Sequence, residues 1–361
     1  MTGAKRRAAI SFTGGKDSCA VLHLMRASEV ALRASEGWAE EAWRADLRER
    51  LAQVADCEAV LLVTFVPAGG TQPFKAHPLE VVKLQAQALG LPHVVLEVSP
   101  QPSFLDSYRA NMAALRERHD VEVLATGDIL DVFMPRAAAG SGLSLLSPLF
   151  GIPRRVLLEL VWAYGMRPLI TCVNVTKFAV QPKLAVADAA GAPTEATAAV
   201  AGEREAPGEV GPGEAQRGDG GDGGAASGGA ESCAGQPVAP SMGDGAAAAP
   251  TTASTAAAAG SGCSGDSTEQ PPPPPPLLGL VLDRAAHRDA VLPAVQAYGV
   301  DECGEWGEYH TMVLGSALFG GGGGELGLRL RTEARREGDY AYLAILSAEL
   351  VAGTPPQPPS S

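Results

Sequence analysis

No two of the six cysteines, Cys19, Cys57, Cys172, Cys233, Cys263 and Cys303, form a C-x-x-C pair. A zinc ribbon, an iron–sulfur clamp and a thioredoxin-type site therefore lack support. The cysteines are also too sparse for a disulfide scaffold, and a reducing compartment is expected. The chain has no run of about 18 apolar residues, so no membrane span is expected. The first residues, MTGAKRRAAI and then a polar Gly-rich turn, do not read as a signal peptide. A soluble, cytoplasmic protein is the expectation. Positive charge is in short supply, with Lys+Arg 28 against Asp+Glu 41 and a net charge of −13. Stable nucleic-acid binding by phosphate neutralisation calls for the opposite bias.

Residues 183–276 lack Phe, Trp and Tyr altogether. They are mostly Ala, Gly, Glu, Ser, Thr and Pro, end in six consecutive prolines, and hold −9 of the net charge. Such a segment buries too little apolar area to offset its ordering entropy, so a disordered acidic insert is expected there. A stiff partner-binding spacer is the alternative. The tail, 353–361, reads as frayed.

With 46% hydrophobic residues, the rest can build a sizeable core. Strands are expected at 8–12, 59–66, 93–98 and 121–126. They alternate with helices at 18–34, 36–55, 78–89 and 104–118. That alternation predicts an α/β domain with a parallel sheet, its ligands at the carboxyl ends of the strands. It is set at residues 1–135. A smaller α+β domain is set at 136–182 and 277–352. Its expected elements are helices at 154–164 and 290–298 and strands at 169–175, 326–331 and 340–346. The glycine run 320–324 reads as a loop after a strand ending near Phe319.

Thr13-Gly14-Gly15-Lys16-Asp17-Ser18 follows the first strand and opens the first helix. The glycines let backbone N–H groups approach an anion, and the helix N-terminus adds partial positive charge. Lys16 brings a full charge and Ser18 a hydroxyl. The spacing matches neither G-x-x-x-x-G-K-[ST] nor G-x-G-x-x-G. A phosphate cradle is the expectation.

This stretch resembles the pyrophosphate loop, S-G-G-K-D-S, of the PP-loop ATP pyrophosphatases, with Thr13 in place of the first serine. Two further segments narrow the likeness: Thr126-Gly127-Asp128-Ile129, and Cys303-Gly304-Glu305-Trp306-Gly307-Glu308-Tyr309-His310-Thr311. Together they resemble the diphthine–ammonia ligase family, with its T-G-D-I and G-E-N-G-E-[YF]-[HE]-T signatures. His77-Pro78, Gln85 to Pro92, Ser147 to Phe150 and Thr171 to Val173 also match. The resemblance runs over roughly 8–180 and 277–350. Trp306 departs from it by replacing the usual Asn, and residues 130–142 lack its polar and Trp residues.

The resemblance implies an adenine-nucleotide alpha hydrolase-like (HUP) fold. It also implies ATP-dependent amidation of diphthine on translation elongation factor two, with ammonium as nitrogen donor and AMP and pyrophosphate as products. ATP and Mg²⁺ are the implied cofactors. Thr13, Gly14, Gly15, Lys16, Asp17, Ser18, Gly127 and Asp128 would bind nucleotide, with Asp17 the candidate magnesium ligand. Lys16, Asp17, Asp128, Glu305 and Glu308 are the candidate catalytic residues. Glu305, Trp306, Glu308, Tyr309 and His310 would receive the substrate. Diphthine carries a quaternary ammonium, for which Trp306, Tyr309 and the two glutamates suit a cation site. Plainer roles stand beside these: a helix cap for Asp128, loop surface charges for Glu305 and Glu308, a packed histidine for His310, and a helix cap for His77. The alternatives are a pyrophosphatase acting on transfer RNA or a small carboxylate, and a nucleotide-binding scaffold without chemistry.

Overall fold

The fold was analysed in a computed structural model, which describes residues 4–69, 76–129, 133–178, 277–321 and 326–352. The expected insert at 183–276, the tail at 353–361 and the end of the glycine run lie outside the described residues.

The first strand, β1 (Arg6–Ser11), supplies Ala8, Ala9 and Ile10, all fully buried. A strand apolar on both faces belongs at the centre of a covered parallel sheet. It pairs in parallel with β2 (Cys57–Pro67) on one side and β4 (Val123–Ala125) on the other. Strands β3 (His93–Val98) and β5 (Ser144–Leu146) complete a five-stranded parallel sheet of order β3-β2-β1-β4-β5. The parallel sheet thus continues past residue 135, where the sequence reading ends the first domain.

Helices cover both faces. On one, α1 (Lys16–Arg26), α4 (Leu79–Leu89) and α7 (Arg154–Ala163) pack with Ile10, Phe12 and Leu62. On the other, α5 (Phe104–His119) and the short α6 (Phe133–Ala138) pack with Ala9, Leu61, Val63 and Leu124. Ser103 caps α5, its hydroxyl accepting from the Asp106 N–H at 3.1 Å. Gly90 ends α4 with φ +64°.

The helix expected over 18–34 is two helices. Ala27 takes φ −141° and ψ 45°, separating α1 from α2 (Ser28–Glu36). The turn lets α1 stay on the sheet while α2 packs against α7. Helix α3 (Glu41–Val54) follows. The α6–β5 pair was not expected, since six- and three-residue elements are too short to show a period.

The second sheet is antiparallel, ordered β7-β6-β9-β8. It consists of β6 (Pro168–Asn174), β7 (Tyr309–Val313) and the hairpin β8 (Leu326–Glu337)–β9 (Tyr340–Ala352). β8 outruns the expected 326–331 because its distal half, 332–337, is exposed and polar, and β9 outruns 340–346 because residues 347–352 pair with 326–331 of β8. No strand ends near Phe319: residues 317–321 form a turn, and the Phe319 ring is fully buried. The expected helix 290–298 starts earlier, as α8 (Arg284–Ala286), a π turn (His287–Val291) and α9 (Leu292–Tyr298). Pro293 lacks an N–H, and the preceding turn widens to the π form. Ile170, Val173, Met312 and Val313 join the core on the α1 face, so the two sheets share one apolar interior. Among the described residues no helix is long and apolar enough to cross a membrane.

His23 of α1 is fully buried, its Nδ1 2.8 Å from the Cys19 carbonyl and its ring 4.7 Å from that of Tyr164. Burial pushes its pKa down to about 4, against the raising effect of the Cys19 bond. The unfolded chain, with an ordinary histidine pKa of about 6.5, takes up this proton first. His23 therefore contributes stability above about pH 6.5 that is lost as pH falls toward 4. In His23→Leu, denaturant unfolding at pH 7 and pH 5 should show a shallower pH dependence than the native chain. An unchanged slope refutes this.

Candidate functional site

The parallel sheet reverses its winding between β1 and β4: the chain moves from β1 out to β3 on one side, then returns to β4 on the other. In open α/β sheets that switch point is where strand ends part and leave a crevice. Thr13–Ser18 follows β1, and Thr126–Asp128 follows β4. The two segments are in direct contact. A Cβ on Gly127 would lie 2.8 Å from the Asp17 carbonyl carbon and the Ser18 nitrogen. Only glycine lets the end of β4 approach the first turn of α1 this closely.

Gly14 has φ +74°, and a Cβ there would sit 1.9 Å from Gln85 Oε1. The fully buried Gln85 of α4 donates from Nε2 to the carbonyls of Gly14 (2.9 Å) and Val313 (2.8 Å). The Val313 N–H also donates to the Gly14 carbonyl, at 2.9 Å. Strand β7 is thereby stitched to the loop. Lys16 N–H donates to Thr311 Oγ1 at 3.2 Å, and Ser18 Oγ donates to the Gly15 carbonyl at 3.2 Å. Thr13 Oγ1 lies 3.5 Å from where a Gly15 Cβ would stand. The N–H groups of Asp17 and Ser18, in the first turn of α1, have no intrahelical acceptor.

Lys16 is buried, and its ammonium bridges Asp17 Oδ2 at 3.0 Å and Glu305 Oε1 at 2.9 Å. Burial works to lower its pKa, but Asp17 and then Glu305 outweigh that and hold it well above the usual lysine value. Asp17 is pushed up to about 6 by burial, opposed by Lys16 and assisted by Glu305. Its Oδ1 is buried without a hydrogen-bond partner. Asp128 is half-buried, one residue beyond the Gly127 contact.

The loop from Asp301 to Glu308 closes the site. Glu308 is buried, and its carboxylate accepts from the N–H groups of Asp301 (3.0 Å) and Trp306 (2.9 Å). Asp301 accepts from Cys303 N–H at 2.8 Å and pairs with Arg154 Nε at 2.8 Å. Cys303 is buried, and burial raises its thiol pKa well above the usual range, as suits a packed residue rather than a nucleophile. Glu308 thus holds the loop, while Glu305 reaches Lys16. In Glu308→Gln one acceptor oxygen becomes an NH₂ facing a backbone N–H, which should lower stability by about 1–3 kcal/mol. Urea unfolding measures it, and a change below about 0.5 kcal/mol removes Glu308 from this role.

Of the expected substrate residues, Trp306 is 63% exposed, whereas Tyr309 is buried with its hydroxyl donating to the Glu302 carbonyl. The loop does not gather Trp306, Tyr309 and both glutamates into one cation cage. His310 is half-buried and faces His77, with ring centroids 5.6 Å apart and planes at 76°. Gln85, Thr311, Asp301 and Arg154 are absent from the sequence-derived site. A glutamine on the inner, apolar face of α4 was the signal for the first of them.

No protein-family model matches the chain, and no curated protein matches it in sequence.

Proposed function

We propose that the chain is a PP-loop ATP pyrophosphatase that amidates a protein-bound carboxylate, as a diphthine–ammonia ligase does. The observation that supports this most is the meeting of Thr13–Ser18 with Thr126–Asp128 at the β1/β4 switch point, under a clamp from β7. The β3-β2-β1-β4-β5 order agrees with the adenine-nucleotide alpha hydrolase-like reading.

The residues present fit a magnesium–triphosphate. The Asp17 and Ser18 N–H groups in the first turn of α1 have no intrahelical acceptor, and Asp17 Oδ1 is a buried oxygen with no protein donor. Among the described residues no group of three or more His, Cys, Asp or Glu could hold a metal alone. Asp17 would therefore be the protein's ligand, with phosphate oxygens supplying the rest. Magnesium, when bound, supplies countercharge to those oxygens.

A carboxylate is a poor acyl donor because its oxygen leaves badly. Adenylation makes AMP the leaving group and sends pyrophosphate onto the loop. There the first-turn amides of α1 and the Lys16 ammonium take up its charge. Lys16 is pre-aimed by Glu305 and Asp17, so its position costs no reorganisation when the charge develops. Ammonia then attacks the acyl carbon: the C–N bond forms and the C–O bond to AMP breaks.

The test is a single reaction of the chain with ATP, Mg²⁺, ammonium and diphthine-bearing elongation factor two. AMP release with a mass change of carboxylate to amide is the expected result. AMP release independent of the factor discards the substrate and keeps the pyrophosphatase. A second reading, a scaffold without chemistry, is favoured by the pairing of Lys16 with two carboxylates. ATP binding with no AMP release would establish it.

Exposed Trp306 is the natural contact to a protein substrate. In Trp306→Ala, KM for the factor should rise about tenfold at unchanged KM for ATP, with stability within about 0.5 kcal/mol. An unchanged KM for the factor takes Trp306 out of docking.

A further inference from the structure

Arg154 opens α7, and its place is fixed by what lies around it. Ile152, Val156 and Leu157 are no more than 1% exposed and set the start of the helix on the core. The Cys303 thiol adds a bond from the closing loop to the Arg154 carbonyl, at 3.6 Å. The Arg154 side chain, 20% exposed, donates from Nε to Asp301 Oδ2 at 2.8 Å. The other oxygen of that carboxylate faces the loop backbone. Asp301 Oδ1 accepts from the Cys303 N–H at 2.8 Å and from the Glu305 N–H at 3.4 Å. Glu305 in turn reaches Lys16 Nζ at 2.9 Å. A helix anchored in the core is thus linked, through one carboxylate, to the backbone of the residue that holds the lysine.

The closing loop has two other anchors, and neither is made to Glu305. Glu308 holds the N–H groups of Asp301 and Trp306, and Glu302 Oε2 lies 3.0 Å from His287 Nε2. Both remain when Arg154 is taken away. Asp301 does not remain as it was, because its side chain is only 10% exposed. A carboxylate so buried, left without its cation, turns toward water rather than stay unpaired. It then releases the Cys303 and Glu305 N–H groups while the rest of the loop keeps its attachments. Burial works against the charge on Arg154, but its bond and attraction to Asp301, with Glu305 adding to them, hold the guanidinium above the usual arginine value. A lysine at this position would keep the charge and lose the planar fork.

We propose that Arg154 is a positioning residue for Lys16: through Asp301 it fixes the Glu305 backbone, and Glu305 in turn holds the Lys16 ammonium in place. The inference rests on the reading of Lys16 as the charge that meets pyrophosphate on the Gly14–Ser18 loop. Arg154 stands two steps from the ammonium, so its loss displaces Lys16 without removing it. A misplacement of about 1 Å in such a group can lower a rate by up to roughly 10²-fold. Lys16 meets charge that develops only as pyrophosphate forms. The loss therefore falls on kcat, with KM for ATP little changed.

The experiment measures AMP release by the full chain with ATP, Mg²⁺, ammonium and the diphthine-bearing factor. It compares Arg154→Met with the native protein, and Arg154→Met/Glu305→Ala with Glu305→Ala. Arg154→Met should lower kcat by about 10- to 100-fold, with KM for ATP within about twofold. Arg154→Lys, which can still pair with Asp301, should recover most of that loss. On the Glu305→Ala background, Arg154→Met should change kcat by less than about twofold, because two residues that act along one path are not additive. A purely structural arginine would give the same loss on both backgrounds, and that result overturns the proposal. Native kcat in Arg154→Met overturns it too. A second readout needs no turnover. The Lys16 ammonium, buried and doubly paired, should give a protected ¹⁵N side-chain resonance in the ligand-free chain. Arg154→Met should shift or abolish it, and an unchanged resonance overturns the proposal. Should Arg154→Met fold poorly, Asp301→Asn breaks the same pair and leaves only the partly exposed guanidinium alone. Both readouts should move in the same direction there, and neither moving overturns the proposal. A native chain that releases no AMP, with a Lys16 resonance that responds to Arg154→Met, sinks the pyrophosphatase reading and leaves the positioning of Lys16. AMP release at the native rate in Arg154→Met does the reverse.

Discussion

Lys16→Met is expected to reduce AMP release by roughly 10²–10³-fold, the usual effect of removing a pre-aimed charge from a forming anion. It should also destabilise the fold. Asp17 Oδ2 and Glu305 Oε1 both lean on the same ammonium, at 3.0 and 2.9 Å. Taking it away leaves two carboxylates facing each other in a largely buried site. Breaking such a pair costs on the order of 3 kcal/mol. The pH dependence of that loss has a defined sign. Asp17 already sits at about 6 in the folded protein, mainly through burial. Without Lys16 its pKa rises further above the unfolded value of about 3.9. The folded variant then binds more protons than the unfolded chain across that interval, so its stability increases as pH falls through it. Urea unfolding of the variant at pH 7.5 and pH 5.5 should show the deficit shrinking on acidification. A deficit that grows, or AMP release at the native rate, would remove Lys16 from the centre of the site.

Gly14→Ala carries the second large effect. An alanine at φ +74° costs about 1–2 kcal/mol from backbone geometry alone. Its Cβ would also overlap Gln85 Oε1 at 1.9 Å. Moving that side chain breaks its bonds to the Gly14 and Val313 carbonyls. The Gly14 carbonyl keeps the Val313 N–H, but the buried Val313 carbonyl and Gln85 amide lose their partners, at about 1–3 kcal/mol each. The expected loss is on the order of 4 kcal/mol, with ATP binding weakened by more than tenfold as the loop leaves β7. Gly90→Ala is the internal control. It has a similar φ of +64° but nothing within 4 Å of the added Cβ. It should lose only about 1–2 kcal/mol and bind ATP normally. Equal losses at the two glycines would show that the Gln85 clamp contributes nothing.

The parallel sheet and the Lys16 loop were legible because their signals are local. Ala8 to Ile10 is an unbroken apolar run, Gly90 ends a periodic helix, and Gly14 to Ser18 bring glycines, a cation and a hydroxyl into one turn. Other features depend on residues distant in sequence. Glu305 and Glu308 look alike in a Gly-rich stretch, and only the fold separates the one that reaches Lys16 from the one that holds Asp301 and Trp306. Trp306 and Tyr309, three residues apart, read in the sequence as parts of one cation site with the two glutamates. Strand alternation instead turns Tyr309 inward while the loop turns Trp306 out. Strand β7 was hidden because its sequence, YHTMV, has no clean alternation and follows glycines. The break at Ala27 left no trace, since alanine is a good helix former and the turn there is imposed by packing against α7.

The site also has a date in the life of the chain. Lys16 emerges from the ribosome 289 residues before Glu305, an interval of roughly 15–60 s at 5–20 residues per second. Until then the nascent parallel sheet carries a lysine without its second carboxylate and a loop without its β7 clamp. The sheet that holds β7 is completed later still, when β9 pairs with β6. A chain cut short anywhere between β6 and β7 would possess the Gly14–Ser18 loop yet not the β7 strand and Glu305 that close over it. Chain termination in the long intervening stretch should therefore yield a parallel sheet whose Lys16 loop lacks both Glu305 and the β7 clamp.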